Sequence, residues 1–278
     1  MFGAKFKELR TAQKISLKEA AEAVVNPSSL SRWENGQTEL KFETVIELLE
    51  NIHISPLEFL SVTFLELRIP LIDEIDKAIN NPLELKRIAI KYLTIYKHNP
   101  TTTNLLDAAT ACNFYLDISK KDLFPAEYKN RLEDIFANTM YWSQYYVLAF
   151  GNTVTLLNSK TIYGFANVIL NNLEEYKKSG FENFLDTFRA VLNAYQILIE
   201  RGNIEKAKKL QSKLDSVHLS AFSIYISIQR DFFDALLDYR ITRNSTSIIS
   251  IINSLKKLKQ YELVQEFTTE FNKIKSLK

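Results

Sequence analysis

From residue 2 onward apolar positions recur at helical intervals: Phe2, Phe6, Leu9 and Ala12 are separated by Lys5, Lys7, Glu8 and Arg10. This is the period of an amphipathic helix over about residues 2–13. Ser16-Leu17-Lys18-Glu19 follows as a capping box, in which the serine hydroxyl and the glutamate carboxylate satisfy each other's backbone N–H groups. The second helix it opens carries Leu17, Ala20, Ala21 and Val24 and is expected to end near Val25. Asn26-Pro27 then supplies an N-cap and a proline at the first helical position. A third helix over about 27–34 is closed by Asn35-Gly36, where glycine takes the left-handed conformation. Two short helices joined by about four residues and packed on a preceding helix make a helix-turn-helix.

Beyond Phe64 the pattern changes to long helical segments with few breakers. Helices are predicted over 70–79, 84–97, 102–117, 126–149, 160–178, 182–201, 203–215, 219–241, 246–259 and 261–275. Ten such helices with short turns indicate stacked helical pairs. Arg201-Gly202-Asn203-Ile204-Glu205-Lys206-Ala207 resembles the inter-helix turn of a tetratricopeptide repeat, although the 34-residue period is blurred elsewhere. The expected fold is all-α: an N-terminal five-helix helix-turn-helix domain over 1–65, then a TPR-like right-handed helical-repeat array over 66–278. Arrays of this kind commonly hold extended peptides.

Composition narrows the function classes. Glycine and proline number 6 each in 278 residues, about 2% apiece against the usual ~7% and ~5%. Sandwiches, barrels and Rossmann enzymes need more tight turns than that. Cys112 is alone and closes no intrachain disulfide. His53, His98 and His218 are too scattered for a local metal motif, and no P-loop, G-x-G-x-x-G or G-x-S-x-G is present. No enzyme, cofactor or metal is expected. Without a membrane-length apolar run or a signal-peptide core, the chain is expected to be cytoplasmic.

The run Leu9-Arg10, Ser16-Leu17-Lys18-Glu19-Ala20 and Ser28-Ser29-Leu30-Ser31-Arg32-Trp33-Glu34-Asn35-Gly36 resembles the Cro/phage-repressor, or XRE-type, DNA-binding domain. Phe42 to Leu49 and Ile52 to Leu60 resemble its fourth and fifth helices. One departure is Val24, where the family usually has glycine; positive φ is costly for a β-branched residue, so a longer second helix or a rebuilt turn is expected. The resemblance implies that Pro27, Ser28, Ser31 and Arg32 face base edges, with Arg32 suited to guanine O6 and N7. It places Lys14, Ser16, Lys18, Gln37 and Lys41 at phosphates, where helix N-termini and lysines suit anions. Arg10 and Glu34 match a family pair that forms an internal ion pair. Each contact has a plainer reading: Ser16 only caps its helix, the lysines are only solvated, and Trp33 belongs to the core.

Together the two halves resemble the Rgg-type regulators, peptide-sensing proteins of Gram-positive bacteria. The resemblance implies a homodimer on double-stranded promoter DNA that takes a short hydrophobic signalling peptide in its repeat domain, with no membrane role. An extended peptide needs side-chain amides beside apolar pockets. Arg189, Asn193 and Gln196 fall on one stripe of the helix over 182–201, near Phe184, Phe188 and Tyr195. A second candidate is Tyr141, Trp142, Gln144, Tyr145 and Gly151-Asn152, whose Tyr-Tyr and Gly-Asn look like a segment of Rgg proteins. A third is Tyr225, Gln229 and Phe232. The plainer reading of each stripe is core aromatics with solvated amides. Asn152 and Asn193 stand out, because asparagine is a poor helix former unless something bonds it.

Charge neither confirms nor excludes a nucleic-acid partner. Residues 1–41 hold seven basic and five acidic side chains, whereas 42–67 hold five acidic and no basic ones. One head is therefore expected to bind DNA weakly and two copies on a pseudo-palindrome to compensate. The C-terminal lysines, Lys273 among them, alternate with Glu262, Glu266 and Glu270 and read as a solvated face. Two other readings stay open: a DNA-binding regulator answering a protein partner or a non-peptide ligand, and a helical-repeat adaptor without DNA readout.

Overall fold

A computed structural model describes residues 2–64, 70–178 and 180–277, and no β-strand forms among them. The chain divides into two compact units, Met1–Glu74 and Ile75–Lys278. The boundary expected at 65/66 falls outside the described residues.

The first unit contains α1 (Phe2–Ala12), α2 (Leu17–Ala21), α3 (Pro27–Glu34), α4 (Phe42–Asn51) and α5 (Pro56–Phe64). Their inward faces supply one core that includes Phe6, Ala20, Leu30, Trp33, Leu48, Ile52 and Phe59. Phe6 and Trp33 pack at 5.3 Å between ring centroids, which settles Trp33 as a core residue. Gly3 lets α1 approach the end of α3, since a Cβ there would fall 2.1 Å from the Trp33 carbonyl oxygen.

The capping box forms: Ser16 Oγ accepts from Glu19 N at 3.2 Å, and Ser16 N donates to the Glu19 carboxylate at 2.8 Å. That backbone donor holds the Glu19 carboxyl below its ordinary pKa. The helix it starts does not run to Val25 as expected but stops at Ala21. Glu22 (φ −55°, ψ 129°) and Ala23 (φ +59°) become the central pair of a turn closed by Val24 N to Ala21 O at 3.1 Å. These are type II values, and the left-handed residue is Ala23 rather than Val24. The turn is rebuilt one residue early, and the β-branched side chain escapes the strained position. Ala23→Gly is expected to stabilise this unit by about 0.5–1 kcal/mol, the ~1–2 kcal/mol left-handed cost for an L-residue less the added freedom of glycine when unfolded. Thermal unfolding should move upward, and an unchanged or lower midpoint would contradict strain at Ala23.

The second unit is built from helical pairs. After α6 (Pro70–Ala78) come α7 (Pro82–His98), α8 (Thr102–Ser119), α9 (Ala126–Ala137), α10 (Gln144–Gly151), α11 (Ser159–Asn171), α12 (Leu173–Lys178), α13 (Phe181–Glu200), α14 (Ile204–Asp215), α15 (Ile224–Thr242), α16 (Thr246–Lys257) and α17 (Tyr261–Ser276). The spine is α13: it packs on α10, α11, α12, α14 and α15, and eleven of its twenty residues are buried. Its end is the repeat-like turn. Gly202 (φ +69°) gives its N–H to Ile199 O and Asn203 to Leu198 O, the paired bonds of a Schellman motif. Tyr195 Oη donates to Asp234 at 2.8 Å and Gln211 Nε2 at 3.0 Å, joining α13, α14 and α15, and burial raises the Asp234 carboxyl to about 6. Cys112 is buried in α8, where burial pushes the thiol up to about 12 and leaves it unreactive.

Two segments expected as single helices are each broken. The span 126–149 splits into α9 and α10. Asn138 Nδ2 and Thr139 Oγ1 turn back onto the carbonyls of Asp134 and Ile135, and the bend lets Trp142 reach Phe136, Phe150 and Phe165. The span 160–178 splits into α11 and α12 where Asn172 Nδ2 folds back onto Val168 O. Asparagine and threonine offer the backbone local alternatives to helix. The helix expected from 219 starts at Ile224, preceded by a 3-10 turn over Ala221–Ser223.

Candidate functional site

Two faces carry the residues singled out for function, one in each unit. On α3, Leu30, Trp33 and Glu34 are buried, while Pro27, Ser28 and Arg32 are exposed and Ser31 half-buried. Proline at the first helical position starts the helix as expected, but the Asn26 side chain makes no capping bond. At the other end Gly36 (φ +72°) donates to Trp33 O at 2.9 Å and Gln37 N to Arg32 O at 2.9 Å, so a Schellman turn fixes the helix length.

What holds α3 in place is the pair between Arg10 and Glu34. Arg10 Nε and Nη2 donate to the two Glu34 carboxylate oxygens at 2.7 and 2.9 Å, and Nη1 donates to Ile15 O at 2.7 Å. The fork is bidentate and both residues are buried, at 6% and 3% exposure. The Glu34 hydrogen bonds raise the Arg10 guanidinium above its ordinary value.

The proposed phosphate contacts are unequal. Lys18, Gln37 and Lys41 are exposed, and Lys41 sits at the N-cap of α4. Ser16 is exposed too, but its oxygen already serves the capping box, which leaves only the hydroxyl proton for a phosphate. Lys14 lines a depression with Glu19, Glu22, Glu50 and His53, and these carboxylates reduce its value to an incoming phosphate.

In the second unit the three stripes are brought together around α13. Gln144 Nε2 donates to Asp186 at 3.1 Å, and Arg189 Nη1 donates to the other Asp186 oxygen at 3.2 Å. One turn along, Asn193 Nδ2 donates to Gly151 O at 3.2 Å. That contact is possible because Gly151 has no side chain: a Cβ there would lie 2.8 Å from Ala190 Cβ. Gln196 Nε2 reaches Glu200 at 3.1 Å and Glu270 on α17 at 2.7 Å. Tyr145, 43% exposed, lies beside Thr103 and Asp107 of α8, and Tyr225 of α15 lies near both Glu266 and Arg189. Tyr141 is 82% exposed.

The asparagines differ from each other. Asn193 spends its amide donor on the neighbouring backbone, whereas the half-buried Asn152 side chain has no hydrogen-bond partner among the described residues. Gln229 is buried, with Oε1 unpartnered among the described residues. Phe184, Phe188, Tyr195, Phe232 and Trp142 are core residues, as the plainer reading held.

Several members of this face were not singled out in the sequence. Asp186 organises Gln144 and Arg189. Lys273 is not on a solvated face as expected: its side chain is 20% exposed and reaches Glu200 at 2.8 Å, Asp117 at 3.0 Å and Glu270 at 3.8 Å. Burial alone would lower the Lys273 ammonium, but Glu200, Asp117 and Glu270 outweigh it and raise it. Asp107 and Glu266 form no ion pair among the described residues, and burial raises both carboxyls. The Asp186–Arg189 spacing of three was a visible signal. The reach from Lys273 to Asp117, 156 residues apart, had none.

Comparison with known proteins bears on both units. The family described as HTH-type transcriptional regulator Rgg, C-terminal domain, matches residues 87–269, and the helix-turn-helix family matches residues 6–59. Among solved structures, the SHP pheromone receptor Rgg2 of Streptococcus dysgalactiae superposes with a TM-score of 0.74 at 17% identity, over 98% of this chain and 99% of that one. The complex of PrgX with iCF10 gives 0.70 at 14% identity, over 98% and 95%. A bacterial peptide pheromone/receptor complex gives 0.71 at 14%, over 100% and 99%. At these identities the likeness establishes a shared fold. No helix among the described residues is long and apolar enough to cross a membrane.

Proposed function

The chain belongs to the Rgg family of helix-turn-helix transcriptional regulators, and from that premise we propose that it is a cytoplasmic homodimer that reads promoter DNA and answers a short signalling peptide. The observation that carries the sensing half of this reading is the face around α13. There amides from three helices stand beside exposed tyrosines, with Asn152 unpartnered. An extended peptide presents unpaired backbone donors and acceptors, and such a ladder of amides meets them. Peptide binding then biases the repeat unit between two states and alters DNA affinity, which requires different affinity for the two.

On this reading Pro27, Ser28, Ser31 and Arg32 meet bases, while Lys18, Gln37 and Lys41 meet phosphate. Tyr141, Tyr145, Gln144, Asn152, Arg189, Asn193, Gln196 and Tyr225 line the peptide face. Isothermal titration of the full chain with short apolar peptides encoded beside its gene tests the sensing half. Saturable binding is expected, and Asn152→Ala should weaken it about fivefold to tenfold, the worth of one net hydrogen bond. Asn193→Ala should cost less, because its amide donor is already spent on the Gly151 carbonyl and only its oxygen is left for the peptide. Absence of binding by every such peptide would defeat peptide sensing and leave a regulator answering another ligand.

A further inference from the structure

The peptide face has a chemical bias. On α15, Tyr225, Gln229 and Phe232 share one stripe. Phe232 stacks flat on Phe267 of α17 at 4.0 Å, and Tyr225 stands near Glu266 and Arg189. Gln229, between them, is therefore directed at the same wall of α17, with 6% of its surface exposed and its Oε1 unpartnered. Buried amide oxygens are ordinarily bonded, and leaving one unmet is costly. Glu266 itself is open to solvent and has no cationic partner among the described residues; Arg189 pairs with Asp186 instead. Glu270, one turn along, accepts from Gln196. Glu270 is thus supplied, whereas Gln229 Oε1 and the Glu266 carboxylate have no donor among the described residues.

Taking peptide sensing as given, we propose that the peptide bound here brings a cationic group, a basic side chain or a free terminal ammonium, to the wall formed by Glu266 and Gln229. Either group carries several N–H donors: one serves the exposed Glu266 carboxylate, and the Gln229 oxygen, sealed from solvent here, is met when the side chains covering it shift on binding. A neutral apolar peptide would leave both unmet, and an acidic one would add repulsion. A cation beside Glu266 favours its ionised form, opposing the partial desolvation that raises the carboxyl.

The test uses synthetic octapeptides of leucine, isoleucine and valine, titrated into the full chain. One set is N-acetylated and C-amidated, with lysine, glutamine or glutamate placed at each position in turn. A second set has a free amino terminus and no lysine. The best lysine peptide or the free-amine peptide should bind roughly tenfold tighter than its acetylated glutamine or neutral counterpart; which of the two does so identifies the source of the charge. The advantage should shrink with added salt and fall toward unity in Glu266→Gln, an exposed position whose folding is checked by its thermal transition. Binding of neutral or acidic peptides as tight as the cationic ones would overturn the charge preference while leaving peptide sensing intact. Failure of every set to bind would defeat peptide sensing itself, and this inference with it.

Discussion

Arg10→Ala is expected to destabilise the N-terminal unit by about 3–5 kcal/mol, the cost of leaving one partner of a buried ion pair without the other. Glu34 would keep its carboxylate in the core at 3% exposure with both Arg10 bonds gone, and the Ile15 carbonyl would lose its donor as well. Folded domains are stable by only ~5–15 kcal/mol, so the change removes a large share of the stability of so small a unit. Trp33, next to Glu34 in the core, reports the transition, and Trp142→Phe removes the fluorescence of the second unit. The double change Arg10→Met with Glu34→Leu separates charge burial from packing, because it removes both charges together. It should recover most of the loss. A single variant that unfolds at the same denaturant concentration as the parent would contradict a structural role for the pair.

The same region marks how far the sequence could be read. The start and end of α3 were legible because Pro27 and Gly36 are backbone signals that act locally, and the capping box at Ser16 is local too. The turn before α3 was not. Its rebuilding depends on Asn51 of α4, whose Nδ2 donates to the carbonyls of Ala20 and Glu22 at 3.0 and 2.9 Å across about thirty residues. Apolar periodicity also hid the break between α9 and α10. Tyr141 and Trp142 continue a helical pattern, yet Trp142 is worth more packed on Phe136 and Phe150 than on a continuing helix. The amide stripes on α13 were visible, but the acidic wall facing them was not. That wall exists because α17 brings Glu266, Glu270 and Lys273 back to α13 and α8, a choice made by tertiary pairing.

The second large effect concerns the other arginine, on the opposite face of α3. Arg32→Ala should leave folding unchanged, because the Arg32 side chain is exposed and makes no hydrogen bond or ion pair among the described residues. On the proposed promoter it removes one bidentate base contact per half-site, about 1–3 kcal/mol each. Two heads lose about 2–6 kcal/mol together, so operator affinity should drop at least about thirtyfold. Lys18→Ala gives the contrast. A phosphate contact carries no sequence information, so that variant should weaken operator and scrambled DNA alike and reduce the salt dependence by about one counterion per half-site. Fluorescence anisotropy on the two DNAs over a range of salt distinguishes the outcomes. If Arg32→Ala kept the parent's discrimination between operator and scrambled sequence, base reading by this residue would be wrong. The exposed face of α3 would then serve the backbone only, with specificity left to the shape of the DNA. The near-neutral charge of the first 41 residues makes this a sensitive test. With so little excess charge to hold a head on DNA without regard to sequence, loss of the guanine contact cannot be masked by non-specific attraction.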